Sequence, residues 1–131
     1  MKHRILYESN FLVLEFDVIA DYLHAIWARD QTPTTINEGY ERILHHLNRE
    51  FCHRLLDNHQ AIHGYWADQA DWVSQNWYPR ARHAGLENHA VVYSTDILGR
   101  RSTEEALRGM TGGTVAGFED VDTARRALLV N

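Results

Sequence analysis

The chain has 131 residues, 44% of them apolar and 24% charged, which is ordinary globular usage and excludes a chiefly disordered segment. A domain of this length buries roughly two-thirds of its unfolded surface, so it can hold a core without disulfide or metal support, and the lone Cys52 excludes an intrachain disulfide. A net charge of −5 argues against a nucleic-acid partner, because phosphate binding needs a clustered basic surface; Arg80 with Arg82 and Arg100 with Arg101 are short pairs typical of a solvated face.

The opening Met1-Lys2-His3-Arg4-Ile5-Leu6 is basic, but the apolar run of a signal peptide does not follow. No apolar stretch approaches the roughly 20 residues that span a bilayer. One cytoplasmic domain over residues 1–131 is the expectation. Arg4 to Glu8 reads as a strand, Ser9-Asn10 as a turn, and Phe11 to Phe16 as a second strand. A tight turn near Ala20-Asp21 leads to a third, Tyr22 to Arg29, so the first third is an antiparallel meander.

Asp30-Gln31-Thr32-Pro33 ends that pattern. Thr35 with Glu38 has capping-box spacing, and Ile36, Tyr40, Ile43, Leu44, Leu47 and Phe51 recur at three and four, predicting a helix with one apolar face. His53 to Asp57 is a short strand. A helix over Asp68 to His83 follows, burying Ala70, Val73, Trp77, Ala81 and Ala84, kinked by Pro79 and closed by Gly85. His89 to Tyr93 is another strand, Ser102 with Glu105 caps a short helix toward Met110, and Thr114 to Phe118 is the last strand. Asp120 or Asp122 caps a terminal helix carrying Val121, Ala124 and Leu128. The order βββ-α-β-α-β-α-β-α requires parallel pairs after the meander, hence a mixed α/β sheet of about five to seven strands with helices packed on it.

Leu55-Leu56-Asp57-Asn58-His59, Asp68-Gln69-Ala70-Asp71-Trp72, Trp77-Tyr78-Pro79-Arg80-Ala81 and Ala84-Gly85-Leu86 resemble segments of the bacterial STAS/SEC14-domain proteins. These are also called SpoIIAA-like, after the anti-sigma-factor antagonist fold. The likeness runs over residues 40–129, with Thr95-Asp96-Ile97-Leu98-Gly99 and Phe118-Glu119-Asp120 at its later junctions. It implies a STAS-like sheet and a function by binding, with no reaction attached. Relatives of the antagonists are switched by phosphorylation of a Ser or Thr where the central strand meets its helix. Between Ile36 and Val73 this chain has neither residue, so the switch does not carry over. His59 also stands where the family often has Arg.

Among the chemistry-bearing residues, nine histidines invite a metal reading. His59 and His63 converge only if helical, whereas their segment reads as a loop, and adjacent His45 and His46 point to different helix faces. Cys52 and His53, as strand neighbours, point to opposite faces, so Cys52 reads as a buried small hydrophobe. No nucleophile elbow, P-loop or dinucleotide fingerprint is present. Asp57 ends a strand at the edge where open α/β sheets bind ligands; an aspartate there also serves as a cap for the next loop. Trp77 belongs to the core stripe of its helix, while Trp72 and Tyr78 lie off it, leaving at least one as an exposed anchor.

The expected function is non-catalytic protein association, as a homodimer or with another protein, without cofactor or metal. The alternative is a carrier of a small apolar or lipid-like ligand in a cleft by the aromatic helix. An enzyme dependent on a metal or on Asp57 is the third reading. The expected contact residues are Asp57, Asn58, His59, Tyr65, Trp72, Tyr78 and Arg80. An anion at the loop after Asp57 should bind more tightly as His59 becomes protonated.

Overall fold

A computed structural model describes residues 2–130; Met1 and Asn131 lie outside the described residues. Strands β1 (His3–Glu8), β2 (Leu12–Asp17) and β3 (Tyr22–Trp27) form the expected antiparallel meander. Strands β4 (Arg54–Asn58), β5 (Asn88–Val92) and β6 (Thr114–Phe118) then add in parallel, giving one six-stranded sheet in the order β1-β2-β3-β4-β5-β6. Because each parallel strand is laid beside the last in one direction, crossovers of one hand must all return over the same face. That face carries α1 (Pro33–Arg49), a composite helical rod over residues 67–83, and α4 (Ile97–Arg108). Helix α5 (Val121–Leu129) follows β6 and packs on the reverse face, against Tyr22, Leu56, Ala90 and Val92. Among the described residues no helix is long and apolar enough to cross a membrane.

The composite rod shows how the sequence handles a proline. A 3₁₀ turn (Ala67–Gln69) leads into α2 (Ala70–Trp72), a π turn (Val73–Trp77) and α3 (Tyr78–His83). Pro79 has no N–H, and its ring crowds the carbonyl four residues back. The widened turn just before it, in which the Tyr78 N–H bonds the Val73 carbonyl, accommodates that conflict without breaking the rod. Gly85 ends it at φ 117°, as its permissive backbone allows. Ala70, Val73, Trp77 and Ala81 are buried as expected, Ala84 only half-buried, and Tyr78 joins the core instead of standing clear of it.

Three expected caps or faces are corrected. Helix α1 is capped by Thr32, whose hydroxyl accepts from the Thr35 N–H while the Thr35 hydroxyl accepts from the Thr32 N–H; the box begins three residues earlier because Pro33 favours the first helical position. Helix α4 starts at Ile97 with Asp96 as its cap, so Ser102 lies mid-helix and buried. Phe51 does not continue the α1 apolar face: the helix ends in a Schellman turn, with Cys52 N–H to Leu47 carbonyl at 2.9 Å and Phe51 N–H to Asn48 carbonyl at 3.3 Å. Phe51 therefore takes φ 52° and points outward, 82% exposed.

A left-handed backbone costs a bulky L-residue about 1–2 kcal/mol, and glycine almost nothing. Phe51→Gly should accordingly stabilise the fold by about 1 kcal/mol, after allowing for glycine's extra freedom in the unfolded chain. Urea denaturation at neutral pH measures this; a lower midpoint would show that Phe51 packs within its own chain.

Candidate functional site

Strand β4 is central and buried on both faces, with Leu55 and Asp57 toward the three-helix layer and Leu56 toward α5. Asp57 is 0% exposed, and its carboxylate is the hub of the core. Its Oδ1 accepts from Trp27 Nε1 at 2.8 Å and lies 3.1 Å from His59 Nε2. Its Oδ2 accepts from the Tyr40 hydroxyl at 2.7 Å and lies 2.9 Å from His89 Nε2. An ionised carboxylate offers about four acceptor sites, and each here faces a donor from the protein. His89 Nδ1 is buried without a partner, so the tautomer protonated at Nε2 is the one that satisfies Asp57. Burial alone would raise the Asp57 carboxyl, but the charge and hydrogen bond of His59 and the hydrogen bond of His89 hold it well below the carboxylate range. Tyr40 moves the other way, raised well above the phenol range by burial and the adjacent carboxylate.

The network extends outward. His59 Nδ1 lies 2.7 Å from the Thr103 hydroxyl, which is also 3.2 Å from the Gly99 carbonyl, so that rotor can accept from or donate to the imidazole. Trp77 Nε1 donates to the Tyr40 carbonyl at 2.6 Å. Chemically this is a sealed buttress joining β3, β4, β5, α1, α4 and the composite rod, with no open position for a substrate atom.

The expected contact residues separate into three places. Asp57, His59 and Tyr78 are in the core, Tyr78 stacked on His89 with centroids 6.1 Å apart. His59 thus faces Tyr40 and Thr103 instead of the start of the next helix, which corrects the expectation that it would contact an anion there. Trp72 and Arg80 sit on the outside of the composite rod, Trp72 half-buried under the Arg80 guanidinium at 6.0 Å, and Arg80 paired with Glu41 and Asn76. Asn58 and Tyr65 belong to the carboxyl end of the sheet. Asn58 is half-buried and its Oδ1 accepts from the Gln60 N–H at 3.0 Å, while Tyr65 is 61% exposed. Cys52 is buried and its thiol is pushed up to about 11 by burial; His53 turns away to the Gly85 carbonyl. Among the described residues no three His, Cys, Asp or Glu side chains form a group that could hold a metal ion.

That carboxyl end carries an ordered rim which the sequence reading missed. The loops after β4 and β5 are cross-tied: Ser94 Oγ donates to the Ile62 carbonyl at 2.5 Å, and Thr95 N–H bonds the Gln60 carbonyl at 3.3 Å. Asp96 Oδ2 accepts from Gly64 N–H at 2.9 Å and Gly99 N–H at 3.1 Å, two bonds that lower its carboxyl pKa. Ser102 Oγ accepts from Trp66 N–H at 2.9 Å. This frame holds Tyr65, Ile97 (63% exposed) and Leu98 (43%) outward beside a hollow of about 380 Å³ lined by Tyr93, Ser94, Thr95, Asp96, Ile97, Arg100 and Glu119. The available signal was Asp96 three residues before Gly99, the spacing of a cap that places Ile97 and Leu98 in the first helical turn.

No family model, no curated protein and no solved structure matches this chain.

Asp57→Asn keeps the shape but places an amide NH₂ among donors, and disrupting a buried charged network costs about 3–5 kcal/mol. Urea denaturation should show a loss of that order; a loss below about 1 kcal/mol would mean the network is not the hub described. Acid should act in two windows. His24 is lowered to about 4, first by burial and then by Arg125, so between about pH 6.5 and 4 the unfolded chain takes up a proton that the folded chain refuses, and stability falls with pH. Asp57 is depressed when folded, so its contribution is present above the unfolded carboxyl range, near pH 4, and is lost as pH drops below it. Denaturation midpoints at pH 7, 5.5 and 4.5 check the first window, and His24→Gln should flatten it.

Proposed function

We propose that the chain is a non-catalytic binding domain that acts by protein–protein association through the carboxyl-terminal rim of its parallel sheet. The observation that carries this is the rigid exposure of Tyr65, Ile97 and Leu98 on cross-tied loops. Large apolar side chains held outward on an ordered frame lose little entropy on docking, and aromatic and aliphatic anchors of this kind dominate interface energetics. The resemblance of residues 40–129 to STAS/SEC14-domain proteins, which implies work by binding, supports the same reading. So does the saturated Asp57, whose oxygens are already occupied by the protein's own donors. The absence of Ser and Thr from Ile36 to Val73 favours control by binding over a phosphoswitch at the β4 junction. We place the domain in the cytoplasm.

The carrier alternative gains less support. Trp77 and Tyr78 of the aromatic helix are core residues, and the apolar groove beside α5, lined by Ala90, Ala116, Phe118 and Leu128, measures about 140 Å³. Ligand pockets usually run from about 300 Å³ upward and are lined mostly by apolar side chains. The larger hollows, about 380 Å³ at the rim and about 490 Å³ beside the aromatic helix at Pro79, Arg82, His83 and Thr111, are lined mostly by polar and charged ones.

A photo-crosslinking amino acid placed at Tyr65 or at Ile97 in the source cells should give one discrete adduct, and the same group at Glu41, on the flank of α1, should give none. Equal labelling from all three positions, or none from the rim, would remove the reading. Native mass spectrometry showing a retained small ligand would move the protein to the carrier alternative.

A further inference from the structure

The opposite end of the sheet bears a second apolar cluster. Phe51 ends α1, and Val18 and Ile19 occupy the β2–β3 turn beside it; Ile19 is 77% exposed. The two segments are neighbours because β3 and β4 are paired, and Arg54 Nη1 donates to the Ala20 carbonyl at 3.0 Å. Phe51 combines a left-handed backbone, held by the two hydrogen bonds of the Schellman turn, with a ring that stands 82% exposed. A large apolar cluster held in the open points to a contact made outside the chain.

The ends also differ in charge. Every helix runs back from the carboxyl to the amino end of the sheet, so helix N-termini gather at one end and C-termini at the other. At the carboxyl end, in residues 8–11, 28–32, 59–68, 93–101 and 119–122, carboxylates outnumber arginines by more than two to one. At the amino end, in residues 2–4, 17–21, 49–54, 82–88, 108–114 and 125–130, Lys and Arg outnumber carboxylates two to one. Helix dipoles favour this distribution. Its consequence is a molecule whose carboxyl end is net acidic and whose amino end is net basic, each end bearing an exposed apolar cluster.

We infer that the patch of Val18, Ile19 and Phe51 receives the Tyr65–Ile97–Leu98 rim of a second copy, head to tail. The inference rests on the rim being a docking surface. A contact between two different patches is heterologous and leaves a free end of each kind, so association grows with concentration instead of closing at a symmetric dimer. Opposite charges make it weaken with salt.

Sedimentation velocity tests it. The wild-type chain should show a mass that rises with concentration above 15.2 kDa and falls back in high salt. Phe51→Asp and Ile97→Asp should each weaken self-association at least about tenfold, the effect of losing one anchor. Mixed together they should form a one-to-one dimer that grows no further, because each retains the face the other lacks. Phe51→Gly should weaken association as Phe51→Asp does while raising the melting temperature, which separates loss of the contact from loss of the fold. A wild type that stays monomeric at about 1 mM overturns the inference, and rim crosslinks to a different protein would then leave the association reading standing. Dimers of Ile97→Asp that vanish in Phe51→Asp overturn it in favour of a symmetric contact. Sedimentation of the wild type, but not of Phe51→Asp, with phosphatidylglycerol vesicles overturns it by giving the amino end to a membrane.

Discussion

One buried carboxylate organises this fold. Asp57 sits on the central strand among aromatic rings, where an ion without partners would be prohibitively costly. It is tolerated because Trp27, Tyr40, His59 and His89 converge on it from four separate segments of the chain. Each donor fixes an element: Trp27 sets the depth of β3, Tyr40 the rotation of α1, His89 the register of β5, and His59 ties β4 to α4 through Thr103. Tight packing follows from the same demand. A Cβ on Gly39 would come within 2.4 Å of the Trp27 ring, so α1 can approach β3 closely enough for Tyr40 to reach Asp57 only because glycine stands there.

The sequential strand order has a second consequence. It places all crossover helices on one face, aligns their dipoles, and collects the strand-to-helix loops at one end of the sheet. In an open α/β sheet that end is where ligands bind. Here the position nearest the strands is filled by Asp57, His59 and Trp66, all buried, so accessible chemistry is displaced outward to the rim.

Elements with strong periodicity or unambiguous punctuation were legible in the sequence. The meander, α1, the alternation of strands and helices after it and the glycine end of the composite rod follow from period-two alternation, three-four spacing and Gly85. The caps were less legible because Thr35 and Ser102 both have capping-box neighbours, while the residues that actually cap, Thr32 and Asp96, are chosen by Pro33 at the first helical position and by the Gly64 N–H from another loop. The second of these is a tertiary contact that no local pattern encodes. Asp57 was legible as a special residue, but its burial was not: an aspartate at a strand end looks the same whether it meets a ligand or the nearby His59 and three donors supplied by distant segments.

The histidines make the same point about composition. A chain rich in imidazole looks like a metal protein until the core is counted as a place that needs short, rigid donors. Lysine and arginine are too long and too strongly charged to serve Asp57 within so narrow a space, whereas an imidazole donates from a flat ring that packs as an aromatic. His59 lies edge-on to Trp27 and Trp66 with centroids 5.9 and 5.5 Å away, and His89 packs between Trp77 and Tyr78. Two of the most chemically suggestive side chains are thereby consumed in holding a carboxylate still. What the sequence spends on that buttress is rigidity at the end of β4, and rigidity is what lets the loops above it hold Tyr65, Ile97 and Leu98 in the open.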